Sequence, residues 1–597
     1  MSVIAPARSL RTLLLALAIT TAATVAAAPA APPVPLRLIG LNDFHGNLEA
    51  APELNLLLAD PAAPGKRVRT PVGGAAALAG LVRALRAGVP HSLMLSSGDL
   101  IGAAPLASTL FRHESTIAVM NAIGLDAAAT GNHEFDAGLA ELQRIAAGGC
   151  AVNAPGSAVA SCSGGEYTGA RFPIIAANVL GRDGEAVFAP YVIKRVGGIR
   201  VGIIGAVTRS TPSIVVASGV AGLRFVDEAD AVNRAARELR SKGVRALVLS
   251  IHEGGEIGRR DAGDEHTPAD WNDTACPSAR GPIFAIAKRL SKDIGVVFSA
   301  HTHQGYRCLV DGRVIIQATS HGRGLAVVDV ALSQRTRSFI ADRTRSLNLP
   351  VFNERTEPTL RERLAAAAPA PFDTVLRDAR LDAAIAQQVA GYVAAVAPQA
   401  ERPVGRITAR FGRGGPADSA AGRLIADAQL AATRSAGAQI ALMNPGGIRS
   451  DLECNGTPPC TVSFGQVFTM QPFGNSLVVM TLTGAQLKRL LEAQHSPAGR
   501  KLTLLNPSAG FGYRWQSDAA PGERVRDMRL NGEAVQPERP YRITVNSFLA
   551  EGGDGFLLLK QGRERSGGAQ DVDATLDYLK ANDALAPSEA PRIGWAP

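Results

Sequence analysis

The apolar run Leu36–Leu41 closes on Asn42-Asp43-Phe44-His45-Gly46, and this stretch decides how the first half of the chain is read. A buried strand ends in a carboxylate and an imidazole two residues apart. Outward from it the same pattern recurs. Ser92–Leu95 runs into Ser97-Gly98-Asp99, and Thr130-Gly131-Asn132-His133-Glu134-Phe135-Asp136 follows a short apolar stretch. Ala246–Ile251 runs into His252-Glu253, and Ile294–Phe298 runs into Ala300-His301-Thr302-His303. Further buried strands are expected at Pro173–Ala176, Arg200–Ile204 and Val314–Ile316, with helical spacing over Gly73–Leu85 and Ala229–Lys242. Strand alternating with helix, with functional residues just after the strands, is an α/β arrangement that takes ligands at the carboxyl ends of its strands. By strand count alone, one doubly wound sheet would serve.

Of ten histidines in the chain, five (His45, His133, His252, His301 and His303) sit in these short segments, a concentration chance does not give. Each piece alone carries little, since a lone His after an apolar strand is usually a packed residue and Gly-Asp is usually a turn. The ordered set is another matter. Carboxylate oxygens, imidazole nitrogens and one amide oxygen suit borderline divalent ions such as Zn, Mn or Fe(II). Asp-x-His and His-x-His at a strand end are expected to turn two ligands into one pocket, because alternate residues share a face. Asp99, beside Gly98, is placed to bridge two ions. Two ions roughly 3.5–4 Å apart would clamp a phosphoryl group and acidify a bound water.

The chain has 597 residues, 46% hydrophobic and 19% charged, enough for more than one packed domain and too apolar for general disorder. Arg8 and Arg11 precede the apolar run Leu13–Ile19 and small residues to Ala31, the layout of a secretory signal at 1–31. Its apolar part is shorter than the about 20 residues that span a bilayer, so no stable membrane anchor is expected. Six cysteines fall into close sequential pairs, Cys150 with Cys162, Cys276 with Cys308 and Cys454 with Cys460, without C-x-x-C spacing. That favours three local disulfides and an exported protein, periplasmic or secreted, over a zinc site. The formal charge of +9 falls to +7 without Arg8 and Arg11, and its basic residues are scattered singly. No track for a nucleic-acid polymer is visible, so nucleic acid is not expected as a partner.

We read a catalytic domain over 36–346, a connector over 347–400 and a second domain over 401–595. Asp382 offers an N-cap to an Ala-rich helix from Ala383 to Ala397, expected to end at Pro398. Three clusters mark the second domain. Met443-Asn444-Pro445-Gly446-Gly447-Ile448-Arg449 joins an amide, flexible glycines and a guanidinium suited to phosphate. Gln471-Pro472-Phe473-Gly474-Asn475 puts an aromatic suited to stacking on a Gly-flanked loop. Asn546–Phe556 adds Phe548 and Asp554 beside a glycine turn.

The set D-x-H, G-D, G-N-H-E, H and H-x-H resembles the calcineurin-like metallophosphoesterase family. The wording around Asp43 and Asn132 is similar to its secreted 5′-nucleotidase/UDP-sugar hydrolase branch, over nearly the whole mature chain. The resemblance implies a four-layer α/β/β/α catalytic domain of two packed sheets, a helical linker and an α+β substrate-binding domain. It implies two divalent ions, one held by Asp43, His45, Asp99 and His303, the other by Asp99, Asn132, His252 and His301. His133 would then act on the phosphate or leaving oxygen, with Asp136 orienting its ring. In the second domain Phe473 and Phe548 would sandwich the base, Asp554 would accept from the ribose, Asn475 and Asn444 would make polar contacts, and Arg449 would hold phosphate. Two features depart from the family: Ala300 stands where glycine is usual, and Ala420 replaces the customary Asn. The latter leaves Arg410 and Arg413 as rival candidates for a further phosphate arginine.

The implied function is hydrolysis of nucleoside 5′-monophosphates outside the cytoplasm, with the region of Asp382 as a hinge between domains. UDP-sugars, dinucleotides such as NAD and 2′,3′-cyclic nucleotides are alternatives, against which Asp136 favours the 5′-nucleotidase branch. A nucleotide-binding protein without catalysis would be expected to lose ligands that are intact here. Oligomeric state leaves no mark in the sequence.

Overall fold

On the strand Val34–Leu41 successive side chains point to opposite faces, and both faces are apolar. Val34, Leu36 and Leu38 enter one cluster, while Ile39 and Leu41 enter another. In the computed structural model this strand is third in a six-stranded sheet. The order is Arg345–Pro350, Gly324–Leu332, Val34–Leu41, Ser92–Ser96, Ala127–Ala129 and Ile174–Ile175. A second six-stranded sheet runs Gly305–Val310, Arg313–Ala318, Ile294–Phe298, Ala246–His252, Ile199–Val207 and Tyr191–Val196. The structure describes residues 1–2, 31–52, 54–152, 161–162, 165–215, 217–257, 271–276, 279–414, 418–495, 502–588 and 590–596. The expected signal segment thus falls almost wholly outside the described residues.

The two sheets face each other through one apolar layer, with Leu36, Leu38 and Leu95 from the first and Val201, Val248, Val296 and Phe298 from the second. Helices Ala75–Ala87 and Glu114–Ile123 cover the far side of the first sheet. Helices Glu228–Ser241 and Pro282–Arg289 cover the far side of the second. This is the four-layer α/β/β/α core that the resemblance implied, not a single doubly wound sheet. Each strand expected from the sequence is present. Ala246–His252 is buried along its whole length, as a parallel strand covered on both faces must be. Gly324–Leu332 and Arg345–Pro350, which were not expected as strands, add antiparallel to the first sheet. The sheet therefore runs past 346 to Pro350.

Within the connector, Asp382 caps the helix Ala383–Ala400 by accepting from the Ile385 amide at 3.0 Å. The helix runs through Pro398 rather than ending there, because a proline in the last turn removes only one bond of the ladder. Asp382 is not a free joint. Its amide donates to the Ala76 carbonyl at 3.0 Å and its carboxylate pairs with Arg83, tying this end of the helix to the first domain. The three expected cysteine pairs are all disulfide-bonded.

The second half is built on a five-stranded sheet ordered Asn506–Pro507, Ile440–Met443, Pro540–Asn546, Ser476–Thr483 and Arg563–Gln570. Its topology explains how three distant clusters meet. Ile440–Met443 runs parallel to Pro540–Asn546, so Asn444 and Asn546 leave the sheet at the same end. Ser476–Thr483 is antiparallel to that strand with Leu477 opposite Asn546, which brings Asn475 to this end too.

Close approach of the two sheets fixes the strand that carries Asp43. A Cβ on Gly40 would lie 2.3 Å from the Phe298 ring. Gly40→Ala is therefore expected to destabilise the protein by about 1–3 kcal/mol through overpacking. Phe298→Leu in the same chain should restore part of the loss. Equal denaturation midpoints for Gly40→Ala and wild type would contradict this packing.

Candidate metal centre and substrate cleft

Asp43, His45, Asp99, His301 and His303 all have left-handed backbone, with φ of 48°, 47°, 51°, 73° and 57°. The pleat expected to aim Asp-x-His and His-x-His has already ended, since the strands stop at Leu41 and Phe298. Tight turns past the strand ends aim these side chains instead. Such conformations are costly for residues with a Cβ and persist only where surrounding contacts fix them.

Those contacts are present. The Glu134 carboxylate, buried and held up at about 7 by burial and by Asp99, accepts from the amides of Asp99 and Leu100, each at 2.8 Å. Asn42 donates to Asp43 Oδ2 at 2.7 Å and accepts from the Ala318 amide at 3.1 Å. Both residues stood inside the quoted motifs, but nothing in the sequence assigned them this support.

Two overlapping groups result. Asp43, His45 and His303 bring one ligand atom each within 4.8 Å of one another, as do Asp43, Asp99 and His252. Asp99 Oδ2 lies 3.0 Å from His252 Nε2 and 3.6 Å from His45 Nε2, so it faces both. Asn132 Oδ1 is 3.1 Å from His252 Nε2. His301 packs its ring 5.2 Å from that of His252 and donates its amide to both Asp43 oxygens at 3.1 Å. Ala300, where the resemblance expects glycine, is accommodated fully buried.

The chemistry of this donor set fits a cation. His252 Nδ1 faces the Ser97 carbonyl at 2.8 Å and His45 Nδ1 faces that of Gly102 at 2.9 Å, so each must carry its proton there. The Nε2 lone pairs then point at carboxylate, amide and imidazole acceptors. Lone pairs facing oxygens with no hydrogen between them repel, and a divalent ion or a proton must intervene. In the metal-free protein a proton does so at His252. Burial alone would depress that imidazole, but Asp99 holds it up at about 10. Burial would likewise lift Asp43, and the His303 imidazole brings it down to about 2.

His133 stands apart from these groups. Its Nδ1 lies 2.8 Å from Asp136 Oδ2 and its amide donates to Asp99 Oδ1 at 2.9 Å. Burial works against protonation of the ring, and Asp136 and Asp99 outweigh it, raising the His133 pKa. Gly102 makes room for this pair, because a Cβ there would lie 2.7 Å from His133 Cβ and 2.8 Å from Asp136 Oδ2.

A cavity of about 540 Å³ opens above, within the range of small-ligand sites. The first half contributes Asn132, His133, Asp136 and His301 to its walls, and the second half contributes Asn444, Arg449, Phe473, Asn475, Phe548 and Asp554. Phe473 lies over His133 with ring centroids 5.6 Å apart, and the Arg449 guanidinium lies 5.7 Å from the Phe473 ring. Burial and the neighbouring Arg413 lower Arg449 to about 10, against the opposing pull of Asp99, Asp136 and Asp43. Asn444 donates to Asp554 at 2.8 Å and accepts from Asn546 at 3.0 Å. Arg410 and Arg413 do not line the cavity and part company. Arg410 pairs with Asp451 and with Glu453 at 3.2 Å, while Arg413 donates its amide to Asp451 at 2.7 Å and its guanidinium to the Ile448 carbonyl at 3.3 Å.

The 5′-nucleotidase C-terminal domain matches residues 397–561. A probable 5′-nucleotidase of Treponema pallidum is 28% identical over 92% of this chain and 92% of its own length. Endonuclease YhcR of Bacillus subtilis is 31% identical over 92% of this chain, which spans only 40% of that protein's length. The crystal structure of a 5′-nucleotidase precursor from Thermus thermophilus superposes with a TM-score of 0.70 at 26% identity, covering 94% of this chain and 99% of the other. Family model, relative and solved structure together support the 5′-nucleotidase family of metallophosphoesterases for this chain.

Behind the cleft, Asn475 donates to Asp571 at 3.4 Å and accepts from Ser547 at 3.3 Å. Burial lifts the Asp571 carboxyl to about 7. The folded chain therefore keeps this proton to higher pH than the unfolded chain, and the stability it contributes is lost as pH rises from about 4 to about 7. Asp571→Asn, which has no proton to lose, should gain melting temperature relative to wild type across that window. A constant difference from acid to neutral pH would contradict this assignment.

Proposed function

We propose that this protein hydrolyses nucleoside 5′-monophosphates to nucleoside and phosphate outside the cytoplasm. The observation that carries the reading is the placing of Arg449 and Phe473 beside His133, directly above the carboxylate and imidazole groups. Phosphate and nucleoside recognition thus share one cavity with the reacting centre. The three disulfides support an oxidising compartment.

Two divalent ions of the zinc or manganese type, when bound, would act as Lewis acids on phosphate and supply a nucleophile at neutral pH. Asp43, His45, Asp99 and His303 would hold one, and Asp99, Asn132, His252 and His301 the other. His133, with Nδ1 fixed on Asp136, keeps Nε2 for the ester. Its raised pKa suits it to hold a proton for the departing 5′-oxygen. Arg449 neutralises charge on the non-bridging oxygens. Arg410 and Arg413 are both candidates for a second phosphate arginine, and Arg413 is the one whose charge acts on Arg449. Phe473 and Phe548 would flank the base and Asp554 the ribose. Asn444 holds Asp554 in place, and Asn475 closes the base side.

Phosphate release measured over AMP, UDP-glucose, NAD and the cyclic AMP isomers tests the reading. AMP should be the best substrate. Preference for UDP-glucose or NAD would move the function to pyrophosphate hydrolysis on the same centre, and release from none by metal-loaded protein would contradict the enzyme reading. His133→Ala should keep both ions and lose about 100- to 10,000-fold in kcat. Asp99→Asn should lose metal as well as activity. Full activity of His133→Ala with both ions bound would remove His133 from the mechanism.

A further inference from the structure

Three imidazoles, not two, surround the position beside Asp43. Ring centroids of His45 and His303 are 5.2 Å apart, those of His303 and His321 5.3 Å, and those of His45 and His321 5.6 Å. The rings form a nearly equilateral triangle. His321 meets the other two steeply, at 80° to His303 and 65° to His45. Edge-to-face contact of this kind is favourable between rings and resists rotation of either partner.

His321 belongs to none of the motifs that mark the centre. It lies in the turn Thr319-Ser320-His321-Gly322 after the strand Arg313–Ala318. Thr319, His321 and Gly322 have φ of 62°, 59° and 67°, a conformation that two side-chain-bearing residues adopt only under constraint. The constraint comes from the centre itself. Asn42 donates to the Thr319 carbonyl, and the His321 amide donates to the Asp43 carbonyl at 2.7 Å. The turn is thereby pinned to the residues that open the ligand set. Among the described residues, neither ring nitrogen of His321 makes a hydrogen bond, and the ring contacts it makes are with His45 and His303. Its nitrogens also stand outside the set that Asp43, His45 and His303 bring within 4.8 Å. The ring packs on two of those residues without joining them.

We propose that His321 is a positioning residue for the ion position bounded by Asp43, His45 and His303. Its edge fixes the planes of both imidazoles before the ion arrives, and so raises the affinity of this position but not of the one at Asp99 and His252. A ligand ring held in place beforehand loses less freedom on binding, and groups behind metal ligands typically contribute about 10- to 100-fold in affinity. The inference rests on the metal-centre reading given above.

The test is titration of metal-free protein with Zn²⁺ against a chelating indicator, with Co²⁺ absorption as a second readout. Wild type, His321→Ala and His321→Phe are compared. Wild type should take up two ions. His321→Ala should weaken one of them about 10- to 100-fold, alter one part of the Co²⁺ spectrum and leave the metal-free melting temperature unchanged. His321→Phe, which keeps a ring edge but no nitrogen, should recover most of the affinity. Unchanged affinities in His321→Ala overturn the proposal. Equal weakening of both ions with a lowered metal-free melting temperature also overturns it, because the role is then to hold the fold. Failure of His321→Phe to recover would show that a nitrogen, not packing, is needed, and overturns it as well. If wild type binds no ion, the metal-centre reading itself fails, which the wild-type curve alone reveals.

Discussion

At the carboxyl ends of two facing sheets, this protein buries more hydrogen-bond acceptors than it can pair. Each ring Nδ1 of His45 and His252 is committed to a backbone carbonyl, so a further proton or a cation can be taken only at Nε2. Both Nε2 atoms face Asp99, at 3.6 and 3.0 Å, while that of His252 also faces Asn132 at 3.1 Å and that of His45 faces His303 Nε2 at 3.2 Å. Burying acceptors against acceptors costs free energy unless positive charge lies between them. The cost is carried by the surrounding fold: a pleated inter-sheet core, left-handed turns at the strand ends, and Glu134 and Asn42 holding those turns.

Chemistry and recognition are contributed by different halves of the chain. The first supplies the ligand groups and His133, and the second supplies Arg449 and the aromatic walls. They meet because three neighbouring strands of the C-terminal sheet present Asn444, Asn475 and Asn546 at one edge. The helix Ala383–Ala400 connects the halves, and its N-cap residue Asp382 is fastened to the first domain through Ala76 and Arg83. Any relative motion of the halves must be taken up beyond that anchored end. The Asp and His groups are buried, whereas the cavity walls are shared between the halves, so the proposed function sets affinity for metal and choice of ester in different places.

The grouping of Asp43, His45, Asp99, His252 and His303 was legible because these residues stand at or just past the ends of apolar strands, where α/β folds place function. The α/β class was legible for the same reason. The division into two sheets was not legible from the residues. Central strands such as Ala246–His252 are buried on both faces, and nothing local says whether the second face meets a helix or another sheet. The means of aiming Asp43 and His303 was misread, because left-handed turns at residues with side chains leave no compositional trace. Arg410 and Arg413 look alike in the sequence, and in the fold both meet Asp451, Arg410 through its guanidinium and Arg413 through its amide. His321 was invisible as a lone histidine in a polar turn, and only the ring triangle with His45 and His303 singles it out.

The central claim is that acceptor crowding at Asp99 and His252 exists to hold two ions that hydrolysis requires. It is tested most directly by stripping the protein with a chelator, then measuring bound metal and phosphate release from AMP together as Zn²⁺ or Mn²⁺ is restored. The account predicts a folded, inactive stripped protein whose activity returns only as the second ion per chain binds. Phosphate release that persists after stripping, or that saturates with no more than one ion bound, would contradict it.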